Sequence, residues 1–153
     1  MSTATAPKVE DLTVNITEEI HVKAPLEVTF DALLEQLGPM MTQADDKPMP
    51  MKIEAWPGGR WYRDLGENNG HLWGHVQSIK RPTLLEFTGP LMMSFAVASN
   101  VQYRLSEEAG GTLIKFHHFG LGVISEDFKK GLTSGWKYIA GHAKERAEEK
   151  ASK

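Results

Sequence analysis

The chain has no cysteine among its 153 residues. A disulfide framework, a thiolate metal site and a thiol nucleophile are therefore excluded. This absence is compatible with a reducing compartment, and a cytoplasmic protein is expected. The chain also lacks any apolar run approaching the roughly 18 residues of a membrane-spanning helix. Its opening, MSTATAPKVEDL, has no basic segment followed by an apolar stretch and does not read as a secretory signal. Charge of one sign is missing as well. The 17 basic and 20 acidic residues are mixed along the sequence for a net charge of -3. No basic stripe forms, so the expected partners include neither nucleic acid nor membrane. The one dense charge run, Lys144 to Lys153, alternates Glu with Lys and reads as a solvated helix end. P-loop, G-x-S-x-G and dinucleotide motifs are all absent; Gly120-x-Gly122 is too short and follows no βα unit. No metal site and no cofactor are expected.

What remains is patterned. Residues 1–11 are small, polar and Pro-containing and read as a disordered leader. Residues 12–150 read as one domain, long enough to bury about 68–70% of the unfolded surface. From Thr13 the period is two. Val14, Ile16, Ile20 and Val22 share one face, and Glu18 falls in that apolar register. Pro25 opens a helix with a Leu26, Phe30, Leu33, Leu34, Leu37 stripe, and Gly38-Pro39 stops it. Residues 40–50 read as a loop.

Strand patterns follow at 51–55 and 60–65 around Trp56-Pro57-Gly58-Gly59, then at 71–79 and 83–88. The clearest is 95–105, where Phe95, Val97, Val101, Tyr103 and Leu105 alternate with smaller or polar residues. Gly110-Gly111 turns into 112–119, with Ile114, Phe116 and His118 on one face. Ser125-Glu126-Asp127 can cap a short helix ending near Gly131. A long final helix then starts at Thr133 or Ser134. Its stripe of Leu132, Trp136, Ile139, Ala140, Ala143 and Ala147 suits a helix laid across a concave sheet, with Gly135 allowing close backbone approach. The pattern predicts an α+β domain: a curved antiparallel β-sheet of six to seven strands, a short helix after the first strand, and a long C-terminal helix packed on one face. A strongly twisted sheet curled on that helix leaves a cavity at its wider end, beneath Trp136.

Five motifs in order carry a resemblance. They are the helix after Ala24-Pro25, Pro57-Gly58-Gly59-Arg60-Trp61, Gly74-His75-Val76, Gly111-Thr112 with His118 six residues on, and Gly135-Trp136. Together they resemble the START-like helix-grip (SRPBCC) superfamily, and more narrowly the bacterial branch homologous to activators of the heat-shock chaperone ATPase. Met40 and Met41 stand where members usually carry tryptophan. The resemblance implies a helix-grip fold over residues 13 to 150, with a cavity for an apolar or amphipathic small molecule. It does not imply a reaction, because the superfamily includes carriers, sensors, cyclases and chaperone partners.

The expected ligand wall is Trp61, Phe87, Tyr103, Phe116 and Trp136, with His118 and Arg63 orienting a bound molecule. An inward His118 can fix a ligand oxygen or move a proton; alternatively it is a core histidine bonded to a backbone carbonyl. Arg63 shares a strand face with Trp61, so it either meets an anion or carbonyl or reaches water along its stem. His71, Trp73 and His75 are expected on the solvent face, with Leu72 and Val76 inward. Six of the seven methionines (Met40, Met41, Met49, Met51, Met92, Met93) cluster in two loops, where thioethers suit irregular apolar shapes. Ser94, Ser99, Tyr103 and Glu18 are candidate polar lining. The function expected is binding of a small hydrophobic molecule. The alternatives are a cyclase- or hydratase-like proton-transfer enzyme using His118, and a chaperone-partner domain. A homodimer is compatible with the sequence.

Overall fold

The structure, a computed structural model, describes residues 8–92 and 95–153. Met93 and Ser94, and residues 1–7 of the expected leader, lie outside the described residues. A 3-10 turn at Val9–Leu12 leads into β1 (Thr13–Val22) and α1 (Leu26–Leu37). Then come β2 (Lys52–Ile53), β3 (Arg60–Gly66), β4 (Asn69–Lys80), β5 (Leu84–Gly89), β6 (Val97–Glu108), β7 (Gly111–Gly122) and α2 (Glu126–Ala151). The strands form one antiparallel seven-stranded sheet in the order β1-β7-β6-β5-β4-β3-β2. This is the expected α+β architecture, a curved sheet with the long last helix packed on its concave side.

Alternation along the strands builds the concave face in rungs. One rung runs Ile16, His118, Val101, Phe87, Val76 through directly paired positions. The next runs Glu18, Phe116, Tyr103, Leu85. α2 crosses these rungs with Leu132, Trp136, Ile139, Ala140, Ala143 and Ala147 buried, the same six residues as the sequence stripe. Ala143 and Ala147 let α1 lie close to the C-terminal half of α2, where Arg146 Nη2 donates to Gln36 Oε1 at 3.2 Å.

Three local expectations are corrected. First, the expected short helix and long helix are a single 26-residue helix. Ser125 caps it, its Oγ accepting from the Phe128 N–H at 3.2 Å. Thr133 and Ser134 lie inside it. A Cβ placed on Gly135 meets nothing within 4 Å, so this glycine serves no close approach.

Second, β2 has two residues where 51–55 was expected. The Trp56–Gly59 turn bonds to β4 instead: Gly58 N–H donates to the Val76 carbonyl and Val76 N–H to the Gly59 carbonyl, each at 2.8 Å. Regular pairing ends at Ile53, although the Glu54 N–H still donates to the Arg60 carbonyl of β3 at 2.8 Å.

Third, Trp73 is buried with Val76, whereas Leu72 is exposed. Trp61 pairs with Gly74 while Tyr62 pairs with Leu72, a register shift that leaves Trp73 as an extra residue. A one-residue bulge reverses which side chains face the core, so simple alternation misassigned them.

Candidate functional site

Six of the seven anticipated wall and orienting residues lie in the core. Trp61, Phe87, Tyr103, Phe116, His118 and Trp136 are each at most 3% exposed. They form two touching groups. Trp61 stacks on Phe87 with centroids 4.5 Å apart, and its indole N–H donates to the Leu37 carbonyl at 2.8 Å. Tyr103, Phe116 and Trp136 follow one another at centroid spacings of 5.0 and 4.9 Å. The space directly beneath Trp136, where the sequence suggested a cavity, is thus occupied by Phe116 and His118.

His118 is held from both sides. The Trp136 indole N–H donates to His118 Nδ1 at 2.9 Å, and His118 Nε2 lies 3.0 Å from Ser99 Oγ. An indole nitrogen can only donate, so Nδ1 is bare and the ring proton sits on Nε2, facing the hydroxyl. Burial, and secondarily the neighbouring His117, lowers the His118 pKa to about 4. The ring is therefore neutral near pH 7, with both nitrogens engaged by side chains rather than by a backbone carbonyl. Gly120 belongs to this arrangement. A Cβ there would stand 3.1 Å from Ser99 Oγ and 3.6 Å from His118 Nε2.

Glu18 also faces the core side. It is half-buried, and its Oε1 is buried without a partner among the described residues. Burial raises its pKa, opposed by the Lys137 ammonium. Burial, then the Glu18 charge, raises that of Tyr103. Both candidate lining residues therefore keep their protons more readily than exposed counterparts.

One opening lies at the other end of the sheet. β2 covers β3 only at Trp61 and Tyr62, so from Arg63 onward β3 is a sheet edge. Beside it is a cleft of about 450 Å3 bordered by Met49, Arg63, His71, Trp73, Leu91 and Met92. Trp73 forms a floor continuous with the core, meeting Trp61 edge-on at 5.1 Å. Leu91 is pinned over it: at φ 62° its backbone takes a left-handed turn, and its N–H donates to the Trp73 carbonyl at 2.7 Å. The α1–β2 loop that supplies Met49 is fastened to α2, with Thr42 Oγ1 and Tyr138 Oη 3.0 Å apart and the Tyr138 hydroxyl donating to Asp46.

Arg63 and His71 are direct cross-strand partners, and no acidic residue lines this cleft among the described residues. Two of the nearby carboxylates are already engaged. Asp64 pairs with Lys52 at 2.8 Å, and Glu54 pairs with Arg60 at 2.8 Å. Arg63 also borders a second cleft of about 550 Å3, whose other charged neighbours are Arg60, Asp64, Glu67 and His71.

Of the anticipated site residues, Arg63 borders this cleft, whereas Phe116 borders a separate one of about 420 Å3 together with Glu18 and His117. Met49 and Met92 were legible as a flanking cluster. Trp73, Leu91 and His71 were missed because a bulge and a strained turn place them, and neither has a periodic signal. Among the described residues no group of three metal-ligating side chains gathers, and no helix is long and apolar enough to cross a membrane.

No family profile and no curated protein matches the sequence. Solved structures match in fold. An uncharacterised protein from Rhizobium leguminosarum superposes with TM-score 0.67 at 15% identity, over 90% of this chain and 95% of that one. A protein of unknown function from Staphylococcus aureus, SA2116, gives 0.66 at 17% identity over 95% and 100%. The di-domain ARO/CYC StfQ of the steffimycin biosynthetic pathway gives 0.65 at 12% identity, over 95% of this chain and 54% of that one. At such identities the likeness is one of fold, and the fold is of the helix-grip type.

Proposed function

We propose that this protein binds a small hydrophobic or amphipathic molecule on the concave side of its sheet, in the cleft over Trp73. The observation that carries the reading is the cleft's composition. Met49, Leu72, Trp73, Leu91 and Met92 border it together with Arg63 and His71, so its surface mixes apolar side chains with a larger polar share. Its volume of about 450 Å3 falls within the 300–1,000 Å3 typical of small-molecule sites. Met49 and Met92 give an apolar rim that adapts to shape.

Binding is favoured over proton transfer because His118 has neither nitrogen free for a substrate. A cyclase-like activity of the kind the name of StfQ suggests would need an acid or base at the cleft itself. Descent from the branch homologous to the chaperone ATPase activators is proposed on the five ordered motifs. It supports the fold and a pocket rather than a chaperone contact.

The test is a thermal shift across a library of hydrophobic small molecules, combined with native mass spectrometry of freshly purified protein. A ligand at 100 times its Kd contributes about 2.7 kcal/mol, which moves the midpoint of a domain this size by roughly 5–10 °C. Met49→Arg should abolish the shift. A flat response across the library, with no co-purified molecule, would overturn the reading.

A further inference from the structure

We infer that the cleft takes an apolar molecule bearing a single carboxylate, which sits between Arg63 and His71 while the apolar body lies on Trp73, Leu91 and the two methionines. The inference rests on the proposed binding function and adds the chemical class of the ligand. Three features of the site lead to it.

The first is charge. Arg63 carries a fixed positive charge at the lip, no acidic residue lines the cleft among the described residues, and the carboxylates of Asp64 and Glu54 are committed to Lys52 and Arg60. With those two carboxylates engaged elsewhere, and Glu67 bordering the second cleft rather than this one, the guanidinium can meet an external anion on this side.

The second is geometry. Arg63 and His71 are paired across β3 and β4, so their side chains leave the sheet side by side. A planar guanidinium presents parallel N–H donors that match the two oxygens of a carboxylate, and the adjacent imidazole adds a further polar contact.

The third is the number of cations. The lining holds one arginine and no lysine, which suits one negative charge better than a phosphate dianion. Half-burial of Arg63 strips part of its water, so a partner there gains more than at an open surface.

The experiment uses matched acids and esters on the full-length chain: dodecanoate against methyl dodecanoate, and 2-naphthylacetate against its methyl ester. All are titrated below any micellar concentration, with tryptophan fluorescence and calorimetry as readouts. A charge-assisted, bidentate contact predicts at least one acid binding roughly 10–100-fold tighter than its ester. Arg63→Gln should bring that acid down to the level of its ester, and Arg63→Lys should keep only part of the preference. His71→Gln should cause a smaller loss. Melting curves establish that each variant is folded, and the Lys variant decides the matter if the Gln variant is not.

Esters binding as tightly as acids would overturn the carboxylate inference and leave the binding function standing. A preference that persists in both Arg63 variants would overturn it too. If all four compounds fail while the library yields a neutral binder, this inference alone falls. If the library also gives nothing, both fall together.

Discussion

Replacing His118 with glutamine tests the inner network, because burial makes a specific demand on the pH dependence of stability. The folded protein holds this imidazole at about 4, against the ordinary 6.5. Between those values the unfolded chain binds a proton that the folded chain refuses. The group's contribution is therefore complete above about pH 6.5 and is lost as pH falls through about 4. Between pH 7 and pH 5 the linkage relation gives a loss of about 2 kcal/mol from this residue alone.

Glu18 acts with the opposite sign. Its raised pKa means that the folded state takes up that proton first, so acidification relieves a cost. Glu18 and the surface carboxylates are common to both proteins, and subtracting the two profiles removes them. Urea unfolding of wild type and His118→Gln at pH 7 and pH 5 should show wild type losing about 2 kcal/mol more over that interval. At pH 7 the variant should already be weaker by about 1–3 kcal/mol, because an amide donating to Ser99 from the Nε2 position has no acceptor at the Nδ1 position for the Trp136 N–H. Nitrogen-detected NMR should find the wild-type proton on Nε2. Equal pH slopes in the two proteins would refute a neutral, doubly bonded His118.

Other expectations follow from the same packing. Trp61→Phe removes the donor to the Leu37 carbonyl and should cost about 1–3 kcal/mol in urea unfolding; an unchanged midpoint would show that the bond contributes nothing. Gly131, Gly135 and Gly141 lie in α2 with open space where a Cβ would stand, so each change to Ala should stabilise by about 0.5–1 kcal/mol, nearly additively. A loss at any of them in thermal melts would mean that something occupies that space. Glu18→Gln should raise the unfolding midpoint at pH 7, since the neutral amide escapes the cost of a buried charge. A lowered midpoint would show that the carboxylate is held by Lys137 more strongly than burial disfavours it.

How far the sequence disclosed this structure depended on whether periodicity carried the information. The α2 stripe from Leu132 to Ala147 was readable because a helix on a sheet must bury a regular face. The inward set Val101, Tyr103, Leu105, Ile114, Phe116, His118 was readable for the same reason in period two. What periodicity could not carry was any change of register. The bulge at Trp73 depends on how Trp61 and Gly74 meet across strands, and the shortened β2 depends on the Trp56–Gly59 turn choosing Val76 as its partner. Both shape the cleft, so the open volume was the least legible part of the molecule. His118 was correctly placed inward. The donor from Trp136 that closes it off comes from an element 18 residues away, and no local pattern announces such a bond.

The strand order has a consequence for how the chain reaches this state. β1 is made first, yet its partner along its whole length is β7, with Thr13 opposite Leu121. The intervening hairpins can zip locally, each closing onto its neighbour as it emerges. β1 must wait, unpaired, until about a hundred residues have been synthesised, and closing so long a loop is entropically slow. During that interval the apolar side of Val14, Ile16, Ile20 and Val22 has no sheet to join. The early chain is thus the stretch most exposed to misassociation in the nascent protein.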